Sequence, residues 1–141
     1  MQTKRLLISG IAGGVVMWIV DFIANGVVLR DRFQAIVEAG GLQPTPRLPF
    51  YPLWTLLMLG LGIGVAWIYA CARARLGPGP KTALTVGVVI GLMMYLPSNL
   101  AQASWGMLGR ALPLVWFVFG VIGTIAGALV AGALYREEAA K

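Results

Sequence analysis

Long, uniformly apolar runs separated by short charged or proline- and glycine-rich stretches dominate the chain. The runs cover residues 6–28, 50–72, 82–103 and 112–134, each near the roughly 20 residues a helix needs to cross about 30 Å of hydrocarbon. They are apolar on every face and too long for membrane-barrel strands, which alternate over about ten residues. The pattern predicts an all-α membrane protein, with four transmembrane helices in an up-down-up-down bundle forming one domain over residues 1–141. The first run follows Lys4 and Arg5 as a secretory leader would. No convincing small-x-small cleavage site precedes Asp21, so it is expected to remain a helix.

The connection between the first two runs has a different rhythm. Phe33, Ile36 and Val37 fall at i, i+3 and i+4, while Asp31, Gln34 and Glu38 point elsewhere. Gly40 and Gly41 then stop the pattern, and Pro44, Pro46 and Pro49 prevent its return. This spacing predicts a short amphipathic helix over 31–39, either lying on the outer membrane surface or continuing the first span into water. A faint repeat also shows. Sliding Lys4 onto Lys81 brings Gly10 onto Gly87, Gly14 onto Gly91, Met17 onto Met94 and Ala24 onto Ala101, as two similar hairpins would.

Each span carries a Gly-xxx-Gly: Gly10/Gly14, Gly60/Gly64, Gly87/Gly91 and Gly123/Gly127. In lipid no hydrophobic force joins helices, so small residues four apart clear a face for close backbone approach. All four pairs are expected to pack helix on helix, within the bundle or in an oligomer.

Composition agrees. Apolar residues make up 59% of the chain and charged residues 11%, against roughly a quarter charged in a soluble domain. The net charge of +6 does not mark a nucleic-acid binder, because the basic residues flank apolar runs. Instead they set orientation. Lys4, Arg5, Arg73, Arg75, Lys81, Arg136 and Lys141 fall on one side, and Arg30, Arg32, Arg47 and Arg110 on the other. Both termini are therefore expected in the cytoplasm. The chain has no histidine and one cysteine, Cys71. That removes histidine-ligated haem, the usual zinc sites, histidine acid–base chemistry and any internal disulfide. No cofactor and no metal is expected.

One polar cluster stands inside the spans. Asp21 lies in the outer half of the first, with Asn25 one turn on; Ser98, Asn99 and Gln102 reach a comparable depth in the third. A carboxylate at that depth costs a few kcal/mol and must face the bundle or a wet cavity. Two readings stand open: Asp21 bonds Asn99 or Ser98 and sets the register of the first and third spans, or it binds a proton or cation. Pro97 frees the Met93 carbonyl, Thr55 falls at a similar level, and Arg110 is the nearest cation above. Trp18, Trp54, Trp105, Trp116 and Tyr51 read as an interfacial belt, or as the lining of an organic-cation pocket.

The turn Gly77-Pro78-Gly79-Pro80-Lys81-Thr82 is not a phosphate loop, since its spacing is wrong and its prolines remove backbone donors. With Arg73 and Arg75 it presents Lys81 to lipid headgroups or an acidic partner. In span layout and in this turn the chain resembles a family of small four-span bacterial inner-membrane proteins carrying Gly-Pro-Gly-Pro-Lys-Thr. That resemblance implies a bacterial inner membrane and carries over no activity. The small multidrug transporters also have four spans and a membrane carboxylate in the first. Asp21 lies too far toward the outer end for their pattern, and the long first connection is foreign to it. The expected function is a non-catalytic accessory, assembly or scaffold subunit, packing against other membrane subunits or a second copy. The alternative is a small proton- or cation-coupled transporter or channel using Asp21.

Overall fold

The structure, a computed structural model, describes residues 2–135, so Arg136 and Lys141 of the charge count lie outside the described residues. Among those residues the regular structure is helical, with no strand. Helix α1 (Thr3–Ile23) runs into a π-helical turn (Ala24–Val28), followed by α2 (Arg30–Glu38), α3 (Phe50–Leu76), α4 (Pro80–Trp105) and α5 (Ala111–Leu134). Four helices are long and apolar enough to span a membrane: α1 with its π turn, α3, α4 and α5, of 26, 27, 26 and 24 residues. At 1.5 Å per residue these measure about 36–40 Å, longer than the hydrocarbon alone. The surplus carries polar ends, including Arg73 and Arg75 in the last turn of α3.

Local chemistry explains the boundaries. Pro80 opens α4, where its missing N–H costs nothing. Helix α2 ends where Gly40 turns left-handed (φ 75°); the Gly41 N–H then reaches the Ile36 carbonyl and the Gly40 N–H the Val37 carbonyl. Phe33, Ile36 and Val37 are half-buried and Asp31, Gln34 and Glu38 exposed, the amphipathic division expected from their spacing. Only Leu29, itself buried, separates α2 from the π turn.

The helices form a ring in chain order. Helix α1 packs on α3 and α5, α4 packs chiefly on α5, and α1 and α4 stand at opposite corners. The buried faces are made of small residues, among them Ser9, Gly62, Ala66, Thr124, Ala128 and Ala131. Large apolar side chains such as Leu56 and Met93 point outward. Such an arrangement suits lipid, where backbones gain more by approaching each other than by burying leucine.

Three of the four expected glycine pairs sit in these contacts. Gly10 and Gly14 face Ile63 and Leu59 of α3, and Gly87 and Gly91 face Ile125 and Val121 of α5. The two hairpins thus use glycine pairs on partner positions spaced alike, in keeping with the faint repeat. Gly123 and Gly127 receive Val20 and Met17 of α1, and Gly13 meets the Gly127 backbone. The fourth pair does not pack among the described residues: nothing lies within 4 Å of a Cβ placed on Gly60 or Gly64. Gly62, between them in sequence and opposite them on the helix, makes the close approach to Gly10 and Gly14.

Candidate functional site

Asp21 lies one turn before the widened π segment, half-buried between α3 and α5. Its Oδ2 accepts the Trp54 Nε1–H of α3 at 2.8 Å, and its Oδ1 accepts the Asn25 Nδ2–H at 3.2 Å. Asn25 also donates to the Asp21 main-chain oxygen (3.0 Å), which pins its amide, and its Oδ1 accepts the Trp116 Nε1–H of α5 at 2.8 Å. A continuous chain of hydrogen bonds, Trp54–Asp21–Asn25–Trp116, therefore ties three helices together. Because Asn25 stands four residues after Asp21, the two side chains share one face of α1. The π turn follows directly, closed by Leu29 N–H on the Ala24 carbonyl at 2.9 Å.

Of the sequence candidates, the structure unites Asp21 with Asn25 and leaves the others apart. Ser98 and Gln102 are exposed. Asn99 is buried but donates to the Tyr95 carbonyl of its own helix at 2.8 Å. The expected bond from Asp21 to Asn99 or Ser98 is replaced by bonds to α3 and α5, because α1 and α4 sit across the bundle's diagonal. Thr55 donates to the Tyr51 carbonyl, and Pro97 and Met93 occupy the exposed side of α4. Arg110 is exposed at the head of α5 and makes no ion pair with Asp21 among the described residues.

The partners that sequence reasoning misses are Trp54 and Trp116, which it reads as belt residues or as the lining of a cation pocket. Tyr51 and Trp105, at 77% and 90% exposure, do face outward. Trp54 and Trp116 are half-buried instead, each held also by a ring contact: Trp54 stacks on Phe50 at 5.4 Å, and Trp116 meets Phe33 of α2 at 6.2 Å. An indole N–H needs an acceptor once it leaves water, and Asp21 and Asn25 are the acceptors that Trp54 and Trp116 reach. That need was the available signal.

Beside the carboxylate, toward Tyr95, Phe119 and Gly120, the structure leaves a cavity of about 10 Å³. A space of that size is at the lower limit for one water. Tyr95 borders this space and rests against Gly120, where a side chain would collide with its ring. Among the described residues no group of three or more His, Cys, Asp or Glu side chains comes together to hold a metal. The arrangement can fix helix rotation and depth. No family model, curated protein or solved structure matches this chain, so the functional case rests on geometry.

Proposed function

We propose that this integral membrane protein is a non-catalytic accessory or scaffold subunit of a bacterial inner membrane, with its termini cytoplasmic, that packs against another transmembrane helix. The observation that carries this reading is the use made of Asp21. Both its oxygens are taken by fixed donors from Trp54 and Asn25, and the space beside it holds about one water at most. A transport carboxylate must exchange its partners with a passing ion along a wet route; this one serves as a tie between helices. The face of α3 bearing Gly60 and Gly64 supports the same reading, being the Gly-xxx-Gly pair that the chain does not cover itself.

Cys71 makes the test direct. It is exposed and lies seven residues after Gly64, close to the same side of α3. A thiol-to-thiol or thiol-to-amine cross-linker applied to native membranes should give one adduct of defined mass. Replacing Gly60 and Gly64 with leucine should abolish it without unfolding the protein. In proteoliposomes, wild type and Asp21→Asn should pass protons and cations no faster than protein-free vesicles. Asp21-dependent flux, or a monomer without adduct in native membranes, overturns the proposal.

A further inference from the structure

At the end of the bundle carrying the basic turn, a second cavity of about 410 Å³ lies between the last turns of α3, residues 78–80 and the end of α5. It is far larger than the space beside Asp21, and none of the contacts above uses it. We propose that this cavity binds the phosphate head group of an anionic phospholipid. Arg73 and Tyr69 are its polar contacts, and Ala83, Leu129 and Ala133 form the wall for the glycerol and upper acyl chain.

The charge comes first. The Arg73 guanidinium sits 5.4 Å from the centre of the Tyr135 ring and donates one N–H to the Tyr135 carbonyl at 3.3 Å. It is thereby fixed, half-buried, at the cavity wall. A guanidinium carries five N–H groups, so donors remain for an entering oxygen, and no carboxylate among the described residues lines the space. Helix α4 begins at the rim with Pro80, and its N-terminal dipole adds the same sign.

Hydrogen bonding points the same way. Tyr69 is 1% exposed, and its hydroxyl accepts the Gly79 N–H at 3.2 Å. Its own proton meets no acceptor among the described residues. A buried donor beside a fixed cation selects an anionic oxygen acceptor. The apolar part of the wall then distinguishes the source, because a free phosphate ion gains nothing from Ala83, Leu129 and Ala133, whereas a lipid does. The volume falls within the range of small-molecule sites, and basic pockets between helices at this level suit anionic head groups. The three basic residues grouped in the sequence thus divide. Arg73 belongs to a formed site, while Arg75 and Lys81 are exposed and attract anionic lipid without positioning it.

The test is native mass spectrometry of the full chain released from nanodiscs containing phosphatidylglycerol and phosphatidylcholine. Wild type should retain one phosphatidylglycerol in preference to phosphatidylcholine. Arg73→Gln and Tyr69→Phe should each lower that adduct by about fivefold, and Arg73→Lys by less. Arg75→Gln and Lys81→Gln should change it less than about twofold. Tyr69→Phe guards against misreading a folding defect, since it removes only the hydroxyl, and circular dichroism checks each variant. Glu137→Gln with Glu138→Gln should leave the adduct unchanged. Equal losses at Arg75 and Arg73, no preference between the lipids, equal binding of inorganic phosphate, or an adduct only in the Glu137/Glu138 variant would each overturn the proposal.

Discussion

Gly14→Ala and Gly64→Ala make the same change, one methyl group on a transmembrane helix, in opposite surroundings. At Gly14 the added Cβ would stand 2.7 Å from the Met58 carbonyl oxygen and 2.8 Å from the Leu59 Cα, where ordinary contact begins at 3.4 Å. Both neighbours are backbone, so no rotamer change relieves the clash. Helices α1 and α3 must part locally by about 0.7 Å, and overpacking of this kind costs about 1–3 kcal/mol. The gap also spreads: a separation of 0.5–1 Å forfeits a quarter to a half of each dispersion contact along the seam. At Gly64 the Cβ meets nothing within 4 Å, and alanine is the better helix former by up to about 1 kcal/mol. That propensity gain is common to both variants, so they should differ by the overpacking cost, about 1–3 kcal/mol, with Gly14→Ala the less stable and Gly64→Ala at or above wild type. Reversible unfolding in mixed micelles, followed by tryptophan fluorescence, measures both. Equal stabilities, or a larger loss at Gly64, would refute the assignment of Gly10, Gly14 and Gly62 as the α1–α3 seam.

Three further outcomes follow from the polar contacts and the turn. Asp21→Asn keeps one acceptor and turns an NH₂ toward either Trp54 or Asn25, both donors; a loss of about 1–3 kcal/mol is expected, with a red-shifted tryptophan emission. Trp116→Phe keeps the ring against Phe33 but strands the Asn25 oxygen, so amide hydrogen exchange in α2 should accelerate while the ends of α3 and α4 stay protected. Gly79→Ala forces a side chain into φ 138°, at about 1–3 kcal/mol, and should lower the thermal midpoint even though open space surrounds the residue.

Hydropathy located the spans because the lipid requirement acts on every residue of a run. It set their ends short, since α3 continues through Arg73 and Arg75 to Leu76. Backbone hydrogen bonding persists past the hydrocarbon, where long basic side chains reach water easily. What the sequence could not state was the rotation of each helix about its axis. With apolar residues on all sides, Gly60, Gly62 and Gly64 offer two opposite candidate faces, and spacing alone favoured the one that proved uncovered. The Asp21–Asn25 pair was legible, being four residues apart on one helix. Its indole partners were not, because Trp54 and Trp116 reach it only once α3 and α5 have chosen their rotations. The exclusion of Ser98 and Asn99 follows from ring order, which no local pattern encodes.

The contact between Gly13 and Gly127 has a consequence for synthesis. It joins α1 to a helix that follows it by more than a hundred residues, so the seam between α1 and α5 stays open until α5 has been translated. At about 5–20 residues per second, roughly 5–20 s separate the emergence of these two segments. During that interval Trp54 can already reach Asp21, but Asn25 lacks Trp116, and α1 shows lipid a backbone groove that α5 will later fill. A nascent chain stalled before α5 should therefore be the form most readily held by the insertion machinery, and α5 the helix whose arrival releases it.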